Sequence, residues 1–140
     1  MWLRETAQTA STRGYSRVYV WHAAGVVVAY YTLSSYLIRR EDLSTGAARG
    51  EWREIPALLL GKLALDRSLH GEGLARVLLA DAIQEAVRAA EVAGARYLVV
   101  DAIDPTVAEM YQHFGFAFVG ADDARRLLAR ITDLQASLPQ

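Results

Sequence analysis

The chain has 140 residues, of which 53% are hydrophobic and 22% charged, as is typical of a globular protein, and we expect one domain over residues 1–140. It has no cysteine, which excludes disulfide bonds and catalysis by a thiolate. The net charge is −1: up to position 53, seven arginines against four acidic residues give +3, and after it eight basic against twelve acidic residues give −4. The N-terminal third is therefore a candidate surface for an anionic partner, although such mixed blocks are more often solvated surface.

The N-terminus, MWLRETAQTA, lacks the apolar core of a signal peptide, and no stretch reaches the roughly 20 apolar residues of a membrane span. We therefore expect a cytoplasmic protein that does not contact a membrane.

The first half of the chain is predicted to hold a short helix, a hairpin and a loop. WLRETAQTA (2–10) favours a short helix without a capping residue. The segments 16–21 and 26–38, rich in β-branched and aromatic residues, flank the turn HAAG and predict a β-hairpin. The polar, glycine-containing segment 39–54 is predicted to be a mobile loop.

The second half alternates strands with helices. The apolar run PALLLGKLALD (56–66) is typical of a strand buried on both faces. A long helix is predicted to begin near Gly71. The apolar residues that follow fall on one arc at 100° per residue, as in an amphipathic helix. That arc contains Leu78, Leu79, Ala82, Ile83, Ala86, Ala89 and Ala90.

Further strands are predicted within 93–103, in FAFVG and at 125–131, followed by a polar tail. DPTVAEMYQHFG predicts a short helix with Asp104 as N-cap, Pro105 in its first turn and Gly115 at its end. Strands followed by strand–helix–strand units indicate an α/β (α+β) fold with a mixed central sheet and flanking helices.

Two glycines, Gly71 and Gly73, precede the long helix and indicate an anion site. The first N–H groups of a helix have no partner within it, and the helix dipole places positive charge there. A phosphate-binding P-loop needs Lys and Ser or Thr where this chain has Leu74 and Ala75, and the dinucleotide-binding pattern needs a small residue where it has Arg76.

The stretch HGEGLA (70–75) instead resembles the Q/R-x-x-G-x-G/A motif with which the GNAT superfamily of N-acetyltransferases binds the pyrophosphate of acetyl-CoA. His70 stands where Gln or Arg is usual, and Gly73 and Ala75 match the small positions. LLLGKLALD before it and MYQHFGF after it follow in the family's order, so the resemblance covers roughly residues 1 to 135. It implies acetyl-CoA as cosubstrate, no metal, and a pyrophosphate site made by His70, Gly71, Glu72, Gly73, Leu74 and Ala75.

AYYTLSS (29–35), LGKLALDRSLHGEGLA and VVDAID…MYQHFGF look like the toxin branch of this superfamily. The resemblance implies that the enzyme acetylates the α-amino group of aminoacyl-tRNA to block translation and is silenced by a ribbon-helix-helix antitoxin. It also implies that the family's first strand and helix, which would precede WLRETA, are missing.

Acetyl transfer needs a held thioester and an acid for the departing thiolate. If strand 60–65 splays or bulges from its neighbour 97–102, as the resemblance implies, main-chain groups of Leu63, Ala64 and Leu65 can hold the pantetheine arm and polarise the thioester carbonyl. Tyr111 matches the family's catalytic tyrosine, and its ordinary pKa of about 10 would make proton transfer to an alkyl thiolate nearly thermoneutral. The alternative is a packed aromatic beside Phe114 and Phe116. No general base can be identified.

Arg39 and Arg40 are the candidate contacts with the tRNA backbone, although Glu41 and Glu51 nearby weaken this prediction. Apolar residues on the polar arc of the long helix, Leu74 and Val77, and the C-terminal RRLLARITDL predict a protein contact, either a homodimer or an antitoxin. Two other functions stay open at this point. One is acetylation of a protein or small-molecule amine, and the other is a catalytically inert module that binds CoA or an antitoxin.

Overall fold

The computed structural model describes residues 3–7, 16–43, 45–120 and 123–138. They form one seven-stranded sheet in the order β1-β2-β3-β4-β5-β7-β6, in which only the β4–β5 pair is parallel. The strands are β1 Leu3–Ala7, β2 Ser16–Ala23, β3 Val26–Arg39, β4 Glu54–Leu65, β5 Tyr97–Asp101, β6 Ala117–Gly120 and β7 Asp123–Arg130. The helices are α1 Thr45–Ala48, α2 Leu74–Ala93, α3 Pro105–His113 and α4 Ile131–Ser137, with 3-10 turns at Arg40–Asp42 and Arg67–Leu69. The predicted fold class, a mixed sheet with flanking helices, is confirmed.

The N-terminal helix prediction is wrong for the described part of WLRETAQTA. Leu3–Ala7 form β1, an edge strand antiparallel to β2 with Leu3 opposite His22 and Ala7 opposite Val18. So short a helix without a cap cannot offset its nucleation cost, whereas pairing with β2 satisfies the backbone. The β2–β3 hairpin is confirmed. Its turn, Ala24–Gly25, has φ of 51° and 80°, as a type I′ turn requires.

The segment 39–54 is more ordered than the predicted loop. It contains the 3-10 turn and α1, and the Arg40 amide donates to the Arg53 carbonyl at 2.9 Å. The Glu51 side chain, only 4% exposed, is paired with Arg96 at 2.5 Å. These contacts tie the segment to the start of β5.

The C-terminal prediction is also wrong in part. Residues after Arg130 form α4, and Leu127, Ile131 and Leu134 are 0%, 6% and 2% exposed, so they belong to the core. Of the apolar residues predicted to meet a partner, Val77 remains exposed at 52%. An i, i+3 apolar pair such as Ile131 and Leu134 is too short a pattern to reveal a buried helix.

The main core lies between one face of the sheet and α2, α3 and α4. Six of the seven residues on the predicted arc of α2 are buried, all except Ala89, and its alanines let the helix lie close to the strands. A smaller cluster, with Ile55, Tyr97 and Val99, lies on the opposite face. Packing of α2 against β4 thus places the helix N-terminus beside the carboxyl end of that strand.

Candidate active site

The β4 and β5 strands separate towards their carboxyl ends. Their parallel pairing runs from Ala57 opposite Tyr97 to Leu60 opposite Val100 and stops there. β4 continues for five residues to Leu65, and β5 for one, to Asp101. The predicted splay is confirmed, and it opens a gap in the middle of the sheet.

A β-bulge marks the point where β4 leaves its neighbour. The register with β3 shifts at Thr32, so that two residues of β4, Gly61 and Lys62, lie opposite one of β3. The Lys62 amide donates to Oγ1 of Thr32 at 3.0 Å. A Cβ on Gly61 would lie 2.5 Å from the same oxygen, so a side chain there would force the bulge to rearrange. Bulges increase strand twist, which turns the end of β4 away from β5.

The main chain of β4 beyond the bulge presents two residues to the gap. The amides of Lys62 and Asp66 both point to β3, where they donate to Thr32 and to the Val28 carbonyl. Because backbone groups of successive strand residues alternate between the two edges, those of Leu63 and Leu65 point into the gap. Within the predicted stretch 63–65, the amides of Leu63 and Leu65 are therefore the candidate hydrogen-bond donors to the thioester carbonyl.

The N-terminus of α2 lies at the same place. Gly71 and Gly73 have φ of 86° and 75°, which side chains rarely adopt, and a Cβ at either would meet no atom within 4 Å. The glycines are thus required by backbone conformation, and the space around them is open. Gly73 caps the helix without a side-chain hydrogen bond, which leaves the first amides of α2 available to an anion.

These elements enclose a cavity of about 660 Å³, here called the slot. Of the residues predicted to bind acetyl-CoA, Glu72 alone does not line it. The predicted residues that do line it are Leu63, Ala64, Leu65, His70, Gly71, Gly73, Leu74, Ala75 and Tyr111.

His70 makes a contact that the sequence did not predict. Its Nε2 lies 2.9 Å from the Leu65 carbonyl, which only accepts, so Nε2 carries the hydrogen. His70 thus steadies the end of β4, and its role as a phosphate ligand stays a prediction.

The slot passes from one face of the sheet to the other. Leu63 and Leu65 pack on the main core beside α2. Tyr30, Lys62 and Asp101, which also line the slot, alternate with core residues in their strands and so lie on the opposite face. Two reactants can therefore meet in the slot from opposite sides of the sheet.

Tyr111 of α3 lies where the sequence predicted an acid. It is 3% exposed and packs on Phe116 with ring centroids 5.7 Å apart, so it is both a core aromatic and part of the slot wall. Burial, with a smaller contribution from the Asp101 charge, raises the pKa of Tyr111 to about 12. Thermoneutral transfer to a thiolate stays a prediction, because the desolvation that raises the pKa of Tyr111 also raises the pKa of a thiol bound beside it. At neutral pH Tyr111 is therefore protonated and able to donate a hydrogen bond into the slot.

Sequence reasoning missed Asp101. Its carboxylate accepts two hydrogen bonds from Arg126, at 2.9 Å from Nε and 3.0 Å from Nη2. Arg126 also donates to the Tyr36 hydroxyl and lies over that ring, 5.0 Å from its centroid. The available signal was a carboxylate ending the buried run YLVVD, at the carboxyl edge of the sheet.

Arg39 and Arg40 lie at the other end of β4, because Arg39 is opposite Glu54. Nine residues separate Glu54 from Leu63, which corresponds to about 30 Å along the strand. There, Arg39, Arg40, Arg49 and Arg53 line a second, open cavity of about 950 Å³, here called the arginine basin. The Arg39–Glu41 pair in it spans 3.5 Å with both side chains more than 70% exposed, so it neutralises little.

Two kinds of site find no support in the described ranges. No helix there is long and apolar enough to cross a membrane, and those residues contain no group of three or more His, Asp or Glu side chains placed to hold a metal.

No model of a known protein family matches the chain. A relative described as "tRNA-acetylating toxin", from Mycobacterium tuberculosis (strain ATCC 25618 / H37Rv), is 33% identical over 135 residues, which are 96% of this chain and 81% of that protein. This chain belongs to the family of tRNA-acetylating toxins. The family predicted from HGEGLA and MYQHFGF, the toxin branch of the GNAT acetyltransferases, is thus confirmed.

Two solved structures resemble this toxin-family chain over 89% of its length. AtaT complexed with acetyl-methionyl-tRNAfMet is 26% identical, with a TM-score of 0.78 and 76% of that chain covered. A tyrosine-to-phenylalanine variant of AtaT, bound to the C-terminus of the antitoxin AtaR and acetyl-CoA, is 25% identical, with a TM-score of 0.72 and 73% covered.

Proposed function

We propose that this chain transfers the acetyl group of acetyl-CoA to the α-amino group of aminoacyl-tRNA and so blocks translation. The observation that carries the proposal is the slot, which brings a bare helix N-terminus, an unpaired strand edge and Tyr111 together in a chain of this toxin family.

Acetyl-CoA enters on the α2 side of the sheet. Its pyrophosphate accepts hydrogen bonds from the first amides of α2, which the glycine turn leaves open. The pantetheine arm adds to the unpaired edge of β4 as an extra strand would, and the amide of Leu63 or Leu65 polarises the thioester carbonyl. Tyr111 then supplies the proton that the departing CoA sulfur needs.

The acceptor amine enters from the opposite face. An α-amino group, with an ordinary pKa of about 7.8, is about one-third neutral at pH 7.5, whereas a lysine amine with a pKa of about 10.4 is neutral in only about one molecule in a thousand. A slot without a strong base therefore favours an α-amino acceptor over a lysine.

The arginine basin favours a large acceptor. A small amine that reaches Tyr111 cannot also reach Arg39 and Arg40, about 30 Å away along β4. A tRNA spans both, and arginines that contact its backbone would add affinity that depends on salt.

An antitoxin is the proposed protein partner, as AtaR is for AtaT. The ribbon-helix-helix type of that antitoxin, and a homodimer of this chain, remain predictions. Val77 on α2 and Ile103 at the slot, 52% and 80% exposed, are the apolar side chains from which such a contact could be built. Its proposed place of action is the cytoplasm, where aminoacyl-tRNA is used.

The test is to incubate the protein with acetyl-CoA and total aminoacyl-tRNA, digest the RNA with a nuclease, and measure the masses of the released aminoacyl-adenosines by mass spectrometry. Each substrate should gain one acetyl group on its α-nitrogen, and uncharged tRNA should gain none. Acetyl-CoA binding without transfer to tRNA, to peptides or to small amines would instead identify an inert binding module. Transfer to peptide lysines and not to aminoacyl-tRNA would show that the acceptor is a protein lysine and not the α-amino group of aminoacyl-tRNA.

A further inference from the structure

The carboxylate that ends β5 lies on the acceptor side of the slot and is held rigidly there. We propose that Asp101 binds the α-amino group of the acceptor and takes its proton, and that Arg126, itself held by Tyr36, positions the carboxylate. This inference rests on the proposed function and names the group that recognises the amine.

The geometry leaves Asp101 able to bind an amine. Arg126 donates one hydrogen bond to each carboxylate oxygen, and an ionised carboxylate has about four acceptor positions, so roughly two remain. The side chain is 38% exposed and lines the slot together with Tyr111. The free positions are thus accessible from the acceptor side.

Arg126 fixes the direction of the carboxylate. Its guanidinium is itself tied to the hydroxyl and the ring face of Tyr36 on β3, with β4 and β5 between the two strands. A planar guanidinium that grips both oxygens allows the carboxylate one orientation, whereas a lysine would allow several. Arg126 therefore acts as a positioning residue, and Asp101 as the group that contacts substrate.

The other charged or titratable groups around the slot leave this role to Asp101. On the acceptor face they are Tyr30 and Lys62, and elsewhere in the lining Tyr111 and His70, whose Nε2 donates to the Leu65 carbonyl. A lysine repels an ammonium, and protonated tyrosines carry no charge. Among the described side chains that line the slot, Asp101 is the carboxylate.

The step balances without a further reactant. The ammonium loses one proton to Asp101, which passes it to solvent. The neutral nitrogen then attacks the thioester carbon, so that an N–C bond forms and the C–S bond breaks with its electron pair on sulfur. Positive charge that appears on nitrogen during the attack is stabilised by the carboxylate. The sulfur takes the proton of Tyr111, and the tyrosine recovers a proton from the nitrogen or from solvent.

The experiment compares wild type with Asp101→Asn for acetylation of total aminoacyl-tRNA between pH 6.5 and 9. At pH 6.5 the variant should lose about 100-fold in kcat/KM, because general base catalysis is typically worth 10²–10⁴-fold. Near pH 9 the loss should shrink to less than tenfold, because the amine is then already neutral. Acetyl-CoA affinity should stay within threefold.

Two further variants keep the inference testable if Asp101→Asn folds poorly. Tyr36→Phe keeps the ring and the Asp101–Arg126 pair but removes the hydroxyl that holds Arg126, and it should lose about threefold at pH 6.5. Asp81→Asn is the matched control, because Asp81 also accepts a side-chain hydrogen bond, from Tyr31 at 3.0 Å, but does not line the slot. It should retain wild-type kinetics.

A loss in Asp101→Asn that is equal at every pH would assign Asp101 a packing role and overturn the inference, as would a variant with the wild-type rate. Both results would leave the proposed function standing. Only a wild-type protein that fails to acetylate aminoacyl-tRNA would remove the function itself.

Discussion

The two ends of β4 differ in almost every respect. At its carboxyl end the strand is separated from β5. The slot of about 660 Å³ there is lined mainly by apolar side chains and main chain, and also by the polar side chains of His70, Asp101 and Tyr111. At its amino end the strand lies beside the arginine basin of about 950 Å³, whose lining includes four arginines. One end is suited to covalent chemistry and the other to electrostatic contact.

Backbone pairing decides where chemistry is possible on this sheet. Where β4 is paired on both sides, its amides are used up and its side chains build the core. Where the bulge at Thr32 turns it away, the amides of Leu63 and Leu65 become available and the sheet can be crossed. The arginine basin needs no open backbone, because guanidinium groups alone can contact phosphate.

The largest expected effect is at the slot end. Tyr111→Phe removes one oxygen and keeps the ring packed on Phe116, so the fold and the acetyl-CoA affinity should change little. The turnover number for aminoacyl-tRNA should fall by about 10²–10⁴-fold, the usual contribution of a general acid. Calorimetry and a CoA-release assay measure the two quantities on one preparation. A wild-type rate would mean that the proton comes from solvent.

The raised pKa of Tyr111 should also appear in stability. Because the folded pKa of about 12 exceeds the ordinary value of 10, this group stabilises the fold fully below pH 10, and that contribution is lost as pH rises through 12. Two units correspond to about 3 kcal/mol. Between pH 9 and 12, the free energy of unfolding measured with denaturant should therefore fall by up to this amount more for wild type than for Tyr111→Phe. Parallel pH profiles would show that the phenol is not desolvated.

Gly73→Asp should weaken the binding of acetyl-CoA, whereas the same change at the amino end of β4 should not. The change strains a backbone with φ of 75° and adds a negative charge at the phosphate end of the slot. Affinity should fall about 10- to 100-fold by calorimetry. Gly50→Asp is the matched control, since Gly50 has φ of 78° and open space but lies in the arginine basin. Equal losses of acetyl-CoA affinity in the two variants would show that the phosphates do not bind at the slot.

The smallest effect is expected in the arginine basin. Replacing both Arg39 and Arg40 by Gln should raise the KM for aminoacyl-tRNA about three- to tenfold and make it less dependent on salt, because fewer phosphates are neutralised. Acetyl-CoA affinity should not change. Arg88→Gln removes an equally exposed arginine from the surface of α2 and serves as control. An unchanged salt dependence in the double variant would exclude the basin as an RNA contact.

Much of this architecture could be predicted, because its signals are local. The alternating hairpin, the apolar arc of α2 and the caps of α3 each depend on neighbours within a few residues. Gly71, Gly73 and Tyr111 could be placed because the motif carries them. The β1 strand and α4 could not, since the first depends on pairing with β2 and the second on packing against α2.

Asp101 illustrates why the site was only partly predictable. Its proposed role depends on a partner 25 residues away, Arg126, and, through Arg126, on Tyr36 of a distant strand. The pKa of Tyr111 likewise depends on burial that no short pattern reveals. The contact between His70 and the Leu65 carbonyl spans only five residues, but it requires the shape of the turn between β4 and α2.

Hydrogen exchange of the backbone amides, with and without acetyl-CoA, tests most directly the claim that the two ends of β4 have separate tasks. With acetyl-CoA bound, we expect slower exchange in peptides covering 61–78, where Leu63, Leu65 and the first amides of α2 lie. We expect unchanged exchange in peptides covering 39–54. Protection of the arginine basin, or unchanged exchange over 61–78 at saturating acetyl-CoA, would contradict that claim.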